Sequence, residues 1–211
     1  MLITKFGQCC LLIEENGVRI ITDPGSLSTN QNTAENIDAV LITHEHEDHI
    51  HLDSLKKILE RNPHATVITN TAVAKLLDEA RIAYELIGHE GSMTIKELVI
   101  EALEAPHAEI YKTMPRVLNT GFLIAEKLFY PGDAFIIPTK KVDILALPVA
   151  GPWMKSSEAI DYALAVHPRV AFPVHDAIMK SPSFAQRLPG MILPKEGIEF
   201  KVIEIDATEE F

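Results

Sequence analysis

The chain has 211 residues, 47% of them hydrophobic, with 30 acidic against 19 basic side chains and a formal charge of -11. That length and apolar content can bury a sizeable core, and the expectation is one domain over 1–211. The charge argues against a basic surface that tracks phosphates, and no stretch reaches the roughly 18 to 20 apolar residues of a membrane span, so neither nucleic acid nor a membrane is an expected partner.

The N-terminus Met1-Leu2-Ile3-Thr4-Lys5-Phe6 has no basic region followed by a long apolar segment, which makes the cytoplasm the expected compartment. Residues 8–14 and 18–22 read as strands joined at Glu15-Asn16-Gly17, because Asn-Gly supplies the positive φ angles of a tight hairpin. Cys9 and Cys10 are adjacent in the first of these, so their side chains face opposite sides and read as reduced packing thiols. Asp23-Pro24-Gly25 ends the second strand, and the Ser, Thr and Asn content of 26–36 reads as loop.

An apolar run at 37–42 leads as a strand into Thr43-His44-Glu45-His46-Glu47-Asp48-His49. Leu55, Ile58 and Leu59 then form one helical face, which Asn62-Pro63 stops. A strand at 65–69, a helix capped by Asn70 or Thr71 with Val73, Leu76 and Leu77 buried, and a short strand near 83–86 continue the alternation. From Gly88 the pattern changes to strand pairs at 93–95, 98–105, 121–125 and 128–130, the last two joined by the turn Glu126-Lys127. The segment 107–118 has no periodicity and reads as a pocket wall. Strand 142–148, helix 157–166 ended by His167-Pro168, strand 170–174, a short helix opened by Ser181-Pro182 and a closing strand at 198–205 complete the chain.

The histidine cluster carries the chemistry. In extended backbone, residues two apart point to the same side, so His44 and His46 can converge on one metal ion, and Asp48 and His49 can address a second. Three imidazoles and a carboxylate within six residues would strand donors in an apolar core, whereas divalent metals want that mixture of nitrogen and oxygen. Glu45 and Glu47 alternate away, toward solvent. His64, His89 and His167 read as surface residues, and His51 opens the following helix.

His-x-His-x-Asp-His after a strand resembles the signature of the metallo-β-lactamase-fold hydrolases. Ala105-Pro106-His107, Tyr130-Pro131-Gly132-Asp133 and Phe172-Pro173-Val174-His175 follow in the expected order, and Ile21-Thr22-Asp23-Pro24 precedes it. The resemblance is closest to the small branch that includes the ascorbate-phosphate lactonase-like proteins. It implies an α/β four-layer αββα sandwich with the site at one edge between two sheets. It also implies that His44, His46 and His107 hold one divalent ion, that Asp48, His49 and His175 hold the other, and that Asp133 bridges them. Asp23 would support the ligand loop from behind, although Asp-Pro-Gly is equally a turn former.

Two such ions about 3.5 to 4 Å apart would share a water and hold it as hydroxide aimed at a carbonyl or phosphoryl centre, with Asp48 passing a proton to the leaving group. Zinc is the first expectation for both ions, and the same donors accept manganese or iron. The favoured function is hydrolysis of a small ester, lactone or phosphoester. The alternatives are a mono-iron oxygenase of sulfur compounds, a nuclease of the superfamily, and a non-catalytic binding protein. Ile50-His51-Leu52-Asp53 and Asp176 depart from the family pattern and leave the substrate open, as they do the roles of His51, Trp153 and 107–118. A homo-oligomer is compatible with the sequence.

Overall fold

A computed structural model describes residues 1–211. Its elements are β1 (Leu2–Gly7), β2 (Cys10–Glu15), β3 (Val18–Thr22), β4 (Ala39–Leu41), α1 (Leu52–Arg61), β5 (Thr66–Thr69), α2 (Thr71–Ala80) and β6 (Glu85–Leu86), followed by β7 (Ser92–Ile95), β8 (Leu98–Pro106), β9 (Leu118–Ile124), β10 (Leu128–Tyr130), β11 (Ile144–Pro148), α3 (Ser156–Val166), β12 (Val170–Val174), α4 (Pro182–Ile192), β13 (Glu199–Phe200) and β14 (Thr208–Glu210). They form two seven-stranded sheets, ordered β14-β1-β2-β3-β4-β5-β6 and β13-β12-β11-β10-β9-β8-β7. Each sheet is antiparallel on one side and parallel on the other, with the change at β3–β4 in the first and β10–β11 in the second.

The period-two alternation of strand side chains explains the layering. Leu11 and Ile13 of β2, Ile144 and Ala146 of β11, and Phe172 of β12 meet between the sheets. Leu12 instead joins Leu55, Ile58, Val73 and Leu77 under α1 and α2, and Leu145, Leu147 and Ala171 join Ala159, Ile160 and Ala163 under α3. Three apolar layers separate four layers of structure, which is the αββα sandwich. Strands buried on both faces read as continuous apolar runs, which is why β11 and β12 show little alternation in the sequence. No helix is long and apolar enough to cross a membrane.

Several boundaries differ from the sequence reading. β1 precedes the first expected strand, and the chain reverses at Gly7 and Gln8 (φ 136° and 47°), so residue 8 belongs to a turn. The Asn16-Gly17 hairpin has the expected positive φ values of 49° and 73°. The β9–β10 turn places Ala125 and Glu126 at positive φ, one residue earlier than expected. The loop 26–36 contains a 3₁₀ turn at Asn30–Thr33, and α4 runs eleven residues rather than a short helix. The single closing strand expected at 198–205 is two strands in two sheets. β13 pairs with β12, the chain crosses over, and a turn at Asp206 (φ 62°) delivers β14 to β1. Cys9 and Cys10 are both free and buried, Cys9 between the sheets and Cys10 on the helix side.

Candidate metal centre

The ligand loop leaves β4 at its C-terminal end, and Thr43 anchors it from both sheets: its carbonyl accepts from Asn70 Nδ2 and from the Thr120 N–H, each at 2.9 Å. Asn70 also caps α2 through the Ala72 and Val73 N–H groups. Asp23, fully buried at the end of β3, holds the loop from behind. Its Oδ1 accepts the Thr43 N–H at 2.8 Å, and its Oδ2 receives Thr43 Oγ1, His49 Nδ1 and Tyr130 Oη at 2.8, 2.7 and 2.6 Å. Asp23 is therefore more than a turn former.

The structure brings all seven predicted residues together. Asp133 lies at the centre: its Oδ2 is 2.9 Å from His175 Nε2, 3.3 Å from His107 Nε2 and 4.0 Å from His44 Nε2, and its Oδ1 is 3.3 Å from His49 Nε2. His44 Nε2 and His46 Nδ1 are 3.1 Å apart, and Asp48 Oδ2 lies 3.3 Å from His175 Nε2 and 3.6 Å from His49 Nε2. Gly132 (φ 63°) makes the approach of Asp133 feasible, because a Cβ there would stand 2.3 Å from Asn119 Oδ1, the atom that accepts the Asp133 N–H.

Outer partners orient the rings. His44 Nδ1 faces Thr43 Oγ1 at 2.9 Å, His49 Nδ1 faces Asp23, and His107 Nδ1 faces the Ala108 carbonyl at 2.6 Å, so all three aim Nε2 at Asp133. At the centre, His49 Nε2, His107 Nε2, both nitrogens of His175 and Asp133 Oδ1 are buried without a hydrogen-bond partner. Each orphan costs about 1–3 kcal/mol in a closed site. With Nδ1 of His44, His49 and His107 committed to these outer partners, their Nε2 atoms meet carboxylate oxygen as acceptor against acceptor unless a proton or a shared cation lies between them. The residues therefore fit divalent metal of the zinc, iron or manganese kind.

The charges obey the same logic. Burial pushes His44 well below its ordinary pKa and lowers His46, with neighbouring imidazoles adding to it. Burial also opposes charge on His49 and His175, but the surrounding carboxylates together outweigh it, Asp133 and Asp23 holding His49 well above its ordinary value and Asp133 and Asp48 pushing His175 up to about 9. For Asp133, burial works toward the neutral acid and the His49 and His175 charges reverse it, holding the carboxyl well below the usual range. In metal-free protein, protons on His49 and His175 stand in for the cation. Unfolded His175 titrates near 6.5. Its contribution to stability is thus fully present below about pH 6.5 and is lost as pH rises through about 9. Chelator-treated protein is expected to melt at progressively lower temperature from pH 7 to 10, and a flat or rising Tm across that range contradicts it.

The remaining histidines do other work. His64, His89 and His167 are exposed, and His51 occupies the position before α1 with Nδ1 3.0 Å from the Ser54 side-chain Oγ. Glu47 is exposed and Glu45 half-buried on the outer side of the loop. The segment 107–118 does form a wall: Ile110, Met114 and Arg116 line a small cleft with His46 and His107.

Four further residues stand near the centre: Trp153, whose role the sequence left open, and Gln8, Asp176 and Cys9, which it did not mark as site residues. Trp153 Nε1 donates to Asp133 Oδ2 at 3.1 Å, and its ring meets His107 and His175 edge-on at 5.7 Å. Gln8 donates from Nε2 to Asp48 Oδ2 and accepts the Ala177 N–H, both at 3.0 Å. Asp176, a departure from the family pattern, receives buried Lys5 at 2.8 Å on both oxygens, tying β1 to the loop that holds His175 at φ 60°. Cys9 Sγ lies within 4.8 Å of donor atoms of His49, Asp133 and His175.

A β-sandwich between helices, with a buried histidine and carboxylate cluster at the sheet edge, defines a metal-dependent hydrolase of the metallo-β-lactamase fold. Residues 2–175 match the family described as the β-lactamase superfamily domain, and the chain belongs to that family. It is 36% identical over 216 residues to protein Rv0786c of Mycobacterium tuberculosis, covering 100% of both chains. It is 27% identical over 169 residues to the UPF0173 metal-dependent hydrolase Ta0764 of Thermoplasma acidophilum, covering 74% of each. Its fold is similar to that of Igni18, a metallo hydrolase of Ignicoccus hospitalis, with a TM-score of 0.77 at 24% identity over 100% of this chain and 98% of that one.

Proposed function

We propose that the protein hydrolyses a small ester, lactone or phosphoester at a two-metal centre, with zinc as the native ion. His44, His46 and His107 would hold one ion, Asp48, His49 and His175 the other, and Asp133 would serve both. The unpartnered buried nitrogens of His49, His107 and His175 around Asp133 carry this reading. The His44, His46 and His107 donors form a group of their own, apart from His49 and His175, which favours two positions over the single iron of an oxygenase.

When bound, the ions supply Lewis acidity and lower the pKa of a water toward neutrality. The protein supplies the rest. Asp23, Thr43 and Ala108 fix the imidazole tautomers, and Trp153 binds Asp133 through Oδ2 and packs edge-on against His107 and His175, leaving Oδ1 free. Asp48, with its side chain 27% exposed, is the carboxylate that reaches substrate space, and Gln8 holds the oxygen that would carry a proton to the leaving group. Ile110, Met114 and Arg116 line a small cleft beside His46 and His107, and no long groove that could track a polymer adjoins them. The formal charge of -11 opposes a polyanionic strand at distance, while the metal charges attract one carboxylate or phosphate locally. The free thiols of Cys9 and Cys10 suit a reducing cytoplasm, and we read 1–211 as one domain.

Protein purified without chelator should contain close to two equivalents of metal and turn over members of a panel of lactones, esters, thioesters and phosphodiesters, with His44→Ala abolishing both. Efficient cleavage of single-stranded RNA that requires His44, with no metabolite turned over, overturns the small-substrate reading.

A further inference from the structure

We infer that Cys9 is a sulfur ligand of the metal position built by His49, Asp133 and His175, giving that position a mixed sulfur, nitrogen and oxygen donor set that prefers zinc to manganese or magnesium. This rests on the metal-centre reading above. The donor atoms of Cys9, His49, Asp133 and His175 all lie within 4.8 Å of one another, and the four residues are 1%, 0%, 2% and 2% exposed. Three of them bring buried atoms that have no hydrogen-bond partner: His49 Nε2, both nitrogens of His175, and Asp133 Oδ1. The thiol thus lies where the apolar core between the sheets meets the space that holds the orphaned donors.

The backbone commits Cys9 to this place. It follows the Gly7-Gln8 reversal, and its carbonyl accepts from Thr22 Oγ1 at 2.8 Å and from Tyr130 Oη at 3.0 Å. Strand alternation then turns Cys10 to the helix side, where it packs with Leu12 and Ile21. With bonds of about 2.3 Å to sulfur and about 2.0 Å to imidazole nitrogen, neighbouring donors around one zinc ion stand about 3.5 Å apart, so the group closes by about 1 Å at its widest. Rotation of one thiol side chain covers much of that. The thiol proton is released to solvent on binding.

Two consequences follow for the proposed chemistry. Thiolate favours zinc and cobalt over manganese and magnesium, which selects among the metals that histidine and aspartate alone would accept. Asp48, which the proposed function places on the same ion, stays the most exposed donor of that position, held by Gln8.

The test titrates metal-free, reduced protein with cobalt and reads the near-ultraviolet thiolate-to-cobalt charge-transfer band. The wild type is expected to take up two equivalents and show the band. Cys9→Ser should lose it and lower the preference for zinc over manganese at least about 10-fold. Cys10→Ser should retain both. X-ray absorption at the zinc edge of the wild type needs no variant, and one sulfur scatterer at about 2.3 Å per two zinc ions is expected. Two bound cobalt ions without the band, nitrogen and oxygen scatterers alone, or a band that survives Cys9→Ser overturns the assignment while leaving the two-metal reading intact. A wild type that binds no cobalt or zinc sinks both.

Discussion

Asp133→Asn is expected to lower bound metal below one equivalent per chain and to reduce turnover by more than about 100-fold. Removing even the outer partners of metal ligands costs about 10- to 100-fold. Asp133 is closer to the centre than any such partner, with four imidazole nitrogens at 2.9 to 4.0 Å from its two oxygens. Asparagine keeps the shape, can still accept from Trp153 Nε1, and leaves the backbone bond to Asn119 untouched. What disappears is the one negative charge facing four buried rings. The loss should therefore appear in metal analysis and kinetics while far-ultraviolet circular dichroism stays native. Full metal stoichiometry with wild-type turnover would refute the bridging role.

The parts of the centre legible in the sequence are those whose chemistry is local. His44, His46, Asp48 and His49 announce themselves by spacing within one loop, and His107, Asp133 and His175 each follow or end an apolar strand. The supporting residues are a different case. Gln8 reaches Asp48 across forty positions, and Lys5 reaches Asp176 across 171. Neither has a spacing signal, since only the pairing of β1 with β2 and the packing of the two sheets bring them to the edge. The only hint is Asp176, which departs from the family pattern beside His175; Lys5 gave none, since no strand was expected at 2–7. The fold follows the same division. Helices and hairpins, written in nearest-neighbour patterns, come out within a few residues, whereas the crossing of 201–207 from one sheet to the other depends on where β1 leaves an open edge.

Gly25→Ala should be the most damaging change outside the ligands, because Gly25 is pressed against the backbone of the ligand loop. A Cβ built there stands 1.9 Å from the Asp48 carbonyl oxygen, 2.1 Å from its carbon and 2.7 Å from the His49 nitrogen. These are backbone atoms, so no side chain can swing aside. The loop is also stitched to this turn by the Ser26 N–H to Glu47 carbonyl and His51 N–H to Pro24 carbonyl bonds at 2.9 and 3.0 Å. Relief of the overlap requires the two segments to part, which breaks those bonds and moves Asp48 and His49 together. Overpacking typically costs about 1–3 kcal/mol, and an overlap this deep against rigid atoms belongs at or above the top of that range. The expected result is a Tm lower by at least several degrees together with metal content near that of a ligand variant. Gly17→Ala provides the contrast: its φ of 73° strains a side chain, but nothing lies within 4 Å of the added carbon. That variant should lose about 1 kcal/mol of stability and keep its metal. If Gly25→Ala binds metal and turns over substrate like the wild type, the close packing of the Asp23-Pro24-Gly25 turn against the ligand loop does not set the geometry of the centre.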